Sequence, residues 1–378
     1  MCPTQAILVG DLNDPSSKVS KIVQRDAVAV RRPEKGTRPG LFYKGAHQST
    51  LDPLAARRPD GGIFAWAGQG DDGGRSRIAS GHPDQHNSSA EALLAYDVGH
   101  QVPWGWRVSL YTWTKSVAVG ALVIGVLLAY LGRLGFGDAL LADLAPGVAL
   151  GMLAVTGVLL IWDLKHPWRF WMLFFRPQWR SWLVRGSVAI AGYGTVVTAF
   201  LVVSLLRSVG AVAPSGAATA EQVIGGVAIA FGVATACYTA FLFAQAKARD
   251  LWQSPLFVPH LAVQAALAGG AVLLLARSIG APARATIALE VVVAVGAGVH
   301  LVFVAAETLG GHPSAHGRQA VTEMTGGRLG WFFWTGTGLV AASVAAPWMG
   351  TTAGALALAG LLAYKHAYVR AGQSVPLA

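Results

Sequence analysis

The chain has 378 residues, of which 53% are hydrophobic and only 13% charged, with 46 glycines and a formal net charge of +10. That balance excludes an ordinary soluble domain, and positive charge in so apolar a chain indicates basic loops beside a membrane rather than a nucleic-acid surface. Two cysteines, Cys2 and Cys237, exclude a disulfide framework.

Residues 1–105 are polar and rich in Pro, Gly, Asp and Arg. They open with MCPTQAILVGDLNDPSS, which sets a Cys-Pro pair beside the initiator Met. Residues 67–100 have the composition of a linker. The first apolar run lies far from the start, so no secretory signal peptide is expected. From about Trp113 onward apolar runs dominate. A membrane-crossing helix needs roughly 20 apolar residues. Eight stretches qualify, near 113–133, 143–163, 184–207, 222–245, 258–278, 285–307, 329–348 and 351–370. Small residues in 225-GGVAIAFG-232 and 192-GYGTVVTA-199 predict close helix packing. Eight crossings put both termini on one side. That side carries thirteen Lys and Arg near the membrane, against Arg133, Arg207, Arg277 and Arg284 on the other. The bias predicts cytoplasmic termini.

One connection stands apart, 163-DLKHPWRFWMLFFRPQWRSWLVR-185. It mixes Asp163, Lys165, His166 and four arginines with Trp168, Trp171, Trp179 and Trp182. It reads either as an interfacial belt of tryptophans and snorkelling arginines or, functionally, as a docking surface or the mouth of a ligand site. Together with 104-WGWRVSLYTWTKSVAVG-120, 238-YTAFLFAQAKARDLWQSP-255 and 364-YKHAYVRAGQSVPL-377, this segment resembles the polysulfide reductase NrfD/PsrC-like membrane-anchor family over roughly residues 100–378. The resemblance implies an all-α polytopic membrane protein. Its eight transmembrane helices would form two four-helix bundles, with a small irregular soluble extension at the N-terminus. It also implies a quinone-reactive subunit that binds menaquinone or ubiquinone and carries no haem. Such a subunit exchanges electrons with a ferredoxin-like iron–sulfur partner. The absence of haem accords with the histidines, which show no pair expected on facing helices in mid-membrane.

The N-terminal segment resembles a different subunit. CPTQAILVGDLNDPSS is similar to the stretch that begins at the last Cys-Pro of four-cluster ferredoxin-like subunits of molybdopterin oxidoreductases, where that cysteine ligates a 4Fe–4S cluster. Residues 38-RPGLFYKGAHQSTLDPLAA-56 resemble the C-terminal part of the same subunits. The expected organisation is an iron–sulfur remnant over 1–66, a linker over 67–105 and a membrane domain over 106–378. A cubane needs four thiolates, so Cys2 ligates a cluster only together with an upstream or partner sequence, and truncation at the start is the favoured explanation. Cys237 reads as a small packing residue.

Ionisable groups inside membrane segments are costly and therefore functional candidates. Glu290, His300 and Glu307 on the sixth segment form a candidate proton path; the bland alternative is interhelical hydrogen bonding. Tyr238 is expected from the resemblance to be a quinone-pocket residue. Lys115 and Tyr111 lie one turn apart and face one side. Asp163, His166 and Arg169 belong to the basic loop. The leading reading is a membrane subunit passing electrons between quinone and an iron–sulfur partner, with substrate chemistry on a molybdopterin-containing subunit, in the bacterial inner membrane among lipid and without nucleic acid. It is not expected to be an enzyme on its own. A passive anchor and a secondary transporter are the rivals.

Overall fold

The computed structural model describes residues 7–31, 33, 36–46, 51, 104–247, 249–278, 281–312 and 314–375. Cys2 and the expected linker up to residue 103 lie outside the described residues. Contacts separate an N-terminal unit from a helical unit that contains all residues from Trp104 onward.

In the N-terminal unit, DLNDPSS folds as a run of turns: the Asp11 and Asp14 carboxylates accept the backbone N–H groups of Asn13 and Ser16. Ser17 then caps helix α1 (Lys18–Arg25), its hydroxyl oxygen accepting from the Ser20 N–H at 3.0 Å. Strands β1 (Val28–Ala29) and β2 (Tyr43–Lys44) pair antiparallel, Val28 opposite Lys44. Asp26, just past α1, accepts from Arg25 at 2.8 Å and pairs with Lys44 at 2.6 Å, tying the helix end to β2.

The helical unit runs through α2 (Trp106–Tyr130), α3 (Ala145–Asp163, preceded by a π-turn Leu140–Leu144), the short α4 (Met172–Phe175), α5 (Trp182–Ser208) and α6 (Pro214–Ala244). It continues through α7 (Phe257–Leu275), α8 (Ala283–Leu309), α9 (Ala315–Thr325), α10 (Gly330–Ser343), α11 (Ala346–Met349) and α12 (Thr351–Ala371). Among the described residues, six helices are long and apolar enough to cross a membrane: α2, α3 with its π-turn, α5, α6, α7 extended to Ser278, and α8. The remaining two expected crossings do not reach that standard. The 14 residues of α10 span about 21 Å, short of a hydrocarbon core of about 30 Å. The chain then bends at Val344–Ala345 ahead of Pro347 and passes Gly350 at φ 56°. Helix α12 is 21 residues long, but Lys365 and His366 lower its hydropathy. Helix α2 begins seven residues ahead of the expected 113, because Ser109 and Thr112 depress hydropathy while facing the protein interior.

Helix α2 packs against α3 and α6, and α5 against α3 and α6; α7 packs against α8 and α12, and α10 against α8 and α12. Helix α2 also touches α7 and α12. At the α2–α7 crossing Gly120 and Gly269 bring backbone onto backbone: a Cβ added at Gly120 would lie 1.9 Å from the Ala265 carbonyl oxygen. Small residues allow this approach, and van der Waals contact rather than a hydrophobic difference holds helices together in lipid.

The two ends of the unit are fastened differently. At the end holding both chain termini of this unit, Gln373 donates to the Trp104 carbonyl at 2.6 Å and accepts its N–H at 3.1 Å. Trp104 also stacks on Trp252 and Phe243. At the opposite end ion pairs join the helices: Arg207 to Glu221 at 2.6 Å and Arg277 to Glu290 at 3.1 Å.

Candidate functional site

Three expected residues come together between α2, α5 and α6. Lys115 is completely buried; its ammonium donates to the Thr239 hydroxyl and, at 3.2 Å, to the Ala236 carbonyl. The same nitrogen lies 4.3 Å from the centroid of the Tyr238 ring, a cation–π distance. Gly186 of α5 makes room for that ring, since a Cβ there would meet it at 2.3 Å. Tyr111 is buried one turn before Lys115. Below them, on the first turns of α2, the Arg107 Nε and Ser109 Oγ atoms are buried without a protein partner. Asp163 ends α3 half-buried, within electrostatic reach of Arg107; the Arg107 guanidinium stands 4.4 Å over the Trp162 ring. His166 and Arg169 do not join this cluster: both are exposed beside the 3-10 turn Pro167–Arg169. Trp168 and Phe175 on the same connection are exposed as well.

A second polar cluster lies between α7, α8 and α12. His260 Nε2 and His300 Nδ1 are 2.8 Å apart and share a hydrogen bond. The expectation concerned a pair in mid-membrane; this pair joins the first turn of α7 to α8. Residue 260 sits three positions into α7 and residue 300 nine before the end of α8, and the antiparallel hairpin brings them level. Glu307 accepts from the Tyr364 hydroxyl at 3.3 Å and approaches His260 Nδ1 at 3.8 Å. Of the three residues expected on a proton path, His300 and Glu307 lie in this cluster, while Glu290 is on the far end of α8, about 15 Å from residue 300 along the axis, held by Arg277. Between the two clusters Lys365 donates to Gln264 at 2.5 Å. Thr112, Gln264 and Lys365 line a cavity of about 10 Å³, room for one water. Gln264, Tyr364 and Lys365 were not singled out from the sequence, although a glutamine and a lysine inside apolar segments were the available signal. Cys237 is buried and reaches the Val258 carbonyl at 3.7 Å, a packing position.

The family profile described as polysulphide reductase, NrfD, matches residues 97–376. The chain belongs to the NrfD family. Protein NrfD of Escherichia coli is 24% identical over 314 residues, covering 71% of this chain and 95% of that protein. The N-terminal part is similar to iron–sulfur subunits. A tetrathionate reductase subunit of Salmonella typhimurium is 38% identical over 58 residues, 15% of this chain and 23% of that protein. The arsenate respiratory reductase iron–sulfur subunit ArrB of a Shewanella strain is 45% identical over 42 residues, 11% of this chain and 18% of that protein. The chain spans less than a quarter of the length of these two iron–sulfur relatives. The NrfD-family region and the apolar helices make this an integral membrane protein, with an N-terminal segment similar to iron–sulfur subunits.

Proposed function

We propose that this NrfD-family chain is the quinone-reactive membrane subunit of a modular oxidoreductase, exchanging electrons between menaquinone or ubiquinone and an iron–sulfur partner that holds 4Fe–4S clusters. A molybdopterin-containing subunit would carry the substrate chemistry. The chain would cross the bacterial inner membrane eight times with both termini cytoplasmic. α10 with α11 would serve as the seventh crossing and α12 as the eighth, in two groups of four (α2, α3, α5, α6 and α7, α8, α10, α12). Residues 1–66 would be the iron–sulfur remnant, with Cys2 a ligand only beside partner cysteines, and residues 67–105 the linker to the membrane domain.

The observation that carries the quinone site is the donor set on α2 and α6. Lys115, Tyr111 and Tyr238 are buried together, and Arg107 Nε and Ser109 Oγ are buried donors without partners. A buried donor left unpaired costs about 1–3 kcal/mol, and a carbonyl acceptor would relieve that cost. The donors suit a quinone's two carbonyls, while the adjoining 10 Å³ cavity admits no ring, so side chains must part on binding. When bound, a quinone supplies a two-electron, two-proton couple. The protein supplies Lys115 and Tyr238 as donors, Asp163 and Arg107 at the entrance, and the exposed His166 and Arg169 as contacts for the loop. Substituting Lys115→Met and Tyr238→Phe and measuring quinol oxidation by the assembled complex tests this. Loss of turnover with intact assembly is expected; unchanged turnover in both variants returns the chain to a passive anchor.

A further inference from the structure

The three glutamates within the long helices have different partners. Glu221 and Glu290 each bind a guanidinium. Glu307, 2% exposed, binds none among the described residues: its Oε2 meets Tyr364 and His260, its Oε1 makes no hydrogen bond, and the Ser254 hydroxyl faces the carboxyl group. Glu307 also lines a cavity of about 380 Å³ at the termini-bearing end of the helical unit. Asp250, Gln253 and Ser254 on the α6–α7 connection and His312 and Ser314 after α8 form its polar walls. His312 Nε2 is 2.7 Å from the Glu307 backbone oxygen, so that nitrogen carries the hydrogen and donates. Behind Glu307 stand two imidazoles in series. His260 Nδ1 and His300 Nε2, the outer atoms of the hydrogen-bonded pair, are buried and unpartnered.

We propose that Glu307 is a proton-exchange site, moving one proton between water in this cavity and the His260–His300 pair. A neutral imidazole takes a proton at one nitrogen and yields one from the other. In the inward step the Glu307 carboxylic acid gives its proton to His260 Nδ1. The Nε2 proton of His260 passes to His300 Nδ1, leaving a carboxylate and a protonated His300. No electron moves, and one proton is relocated. The 3.8 Å gap between Glu307 and His260 exceeds a direct hydrogen bond, so a small side-chain shift or one bridging water completes it. The charged and titratable groups facing Glu307 are His260 on α7, Tyr364 and Tyr368 on α12, and Asp250 and His312 across the cavity; Lys365 of α12 acts on His260 and His300 instead. None of them is a guanidinium that would lock the carboxylate. This site is separate from the proposed quinone donors on α2 and α6 and does not depend on them.

The test is infrared difference spectroscopy on the purified 378-residue chain, titrated with acid and without quinone or partner subunits. The expected result is a carboxylic C=O band that grows with acid, shifts in D2O and is lost in Glu307→Gln. Imidazole bands should change with it, and His260→Asn should leave the carboxyl band titrating alone. Ser254→Trp, which fills the cavity, should slow hydrogen–deuterium exchange of that band. A band that persists in Glu307→Gln overturns the proposal. If Glu307→Gln fails to accumulate, exchange unaffected by Ser254→Trp overturns it instead. So does photoreactive quinone labelling of residues 250–256 or 306–314, since the cavity would then be a quinone site. Because no quinone turnover is read, failure here is distinct from failure of the quinone assignment.

Discussion

The opposite ends of the helical unit handle buried acid in contrasting ways. Glu221 is completely buried, and the Arg207 guanidinium that pairs with it also donates to the Phe136 carbonyl at 2.9 Å, so one side chain stitches α5, α6 and the α2–α3 connection. Glu307, equally hidden, is bordered by a phenol, an imidazole and a polar cavity. An acid locked by arginine has a fixed charge and a fixed position. An acid among neutral donors can change charge without orphaning a cation. The far end is thus built to hold helices in place, and the termini-bearing end leaves an ionisable group free to exchange.

The largest expected effect comes from the shared scaffold beneath both ends. Gly120→Val forces a side chain into the α7 backbone, where nothing flexible can yield, so its cost should exceed the ~1–3 kcal/mol of ordinary overpacking; no folded protein should be recovered after detergent extraction. Gly147→Val, with nothing within 4 Å of an added Cβ, should be recovered normally, and equal recovery of the two would mean that the α2–α7 seam does not hold the scaffold together. Next, Arg207→Ala leaves Glu221 buried and uncompensated, a loss of about 3–5 kcal/mol readable as a lower melting temperature. Adding Glu221→Gln should restore much of it. Arg277→Ala should cost about 1 kcal/mol or less, because that arginine is 36% exposed. Glu307→Gln should change stability by under ~1 kcal/mol, since the amide oxygen still accepts from Tyr364. A loss as large as that of Arg207→Ala would erase the contrast between the ends.

The smallest effect belongs to the N-terminal unit. Hydrogen bonds from Arg25 and Lys44 hold the Asp26 carboxyl far below the usual carboxylate range. A group with a depressed folded pKa stabilises above its unfolded pKa and loses that contribution as pH falls. The α1–β2 contact should therefore persist at neutral pH and fade only well below the ordinary aspartate range. A carboxyl titration followed by NMR should move upward in Lys44→Met.

Most of the helices were readable because lipid-facing and core-facing positions are both apolar, so runs such as 283–309 stand out whole. Where a helix carries interior polar residues the signal weakens: α2 extends back through Ser109 and Thr112, and Lys365 and His366 hide α12 from hydropathy. The glycine- and proline-punctuated stretch 326–350 gave one expected span where the chain makes α10, a bend and α11. Site residues were legible one at a time, not as sets. Spacing along α8 joined Glu290 to His300, yet antiparallel packing gave Glu290 to Arg277 and gave His300 a partner 40 positions away. Cross-helix register is not written in a single segment's periodicity, and so the histidine pair emerged only from the fold.

The contact of Gly120 with Gly269 also limits how this protein can move. Side chains that interdigitate can rotate and let helices slide as gears do; two bare backbones have no such teeth and no rotamers to exchange. Helices α2 and α7 are therefore expected to travel as one beam. Any breathing that admits a ligand must come from helices swinging outward around that beam, with α5 or α12 as the leaf that opens rather than the axis itself.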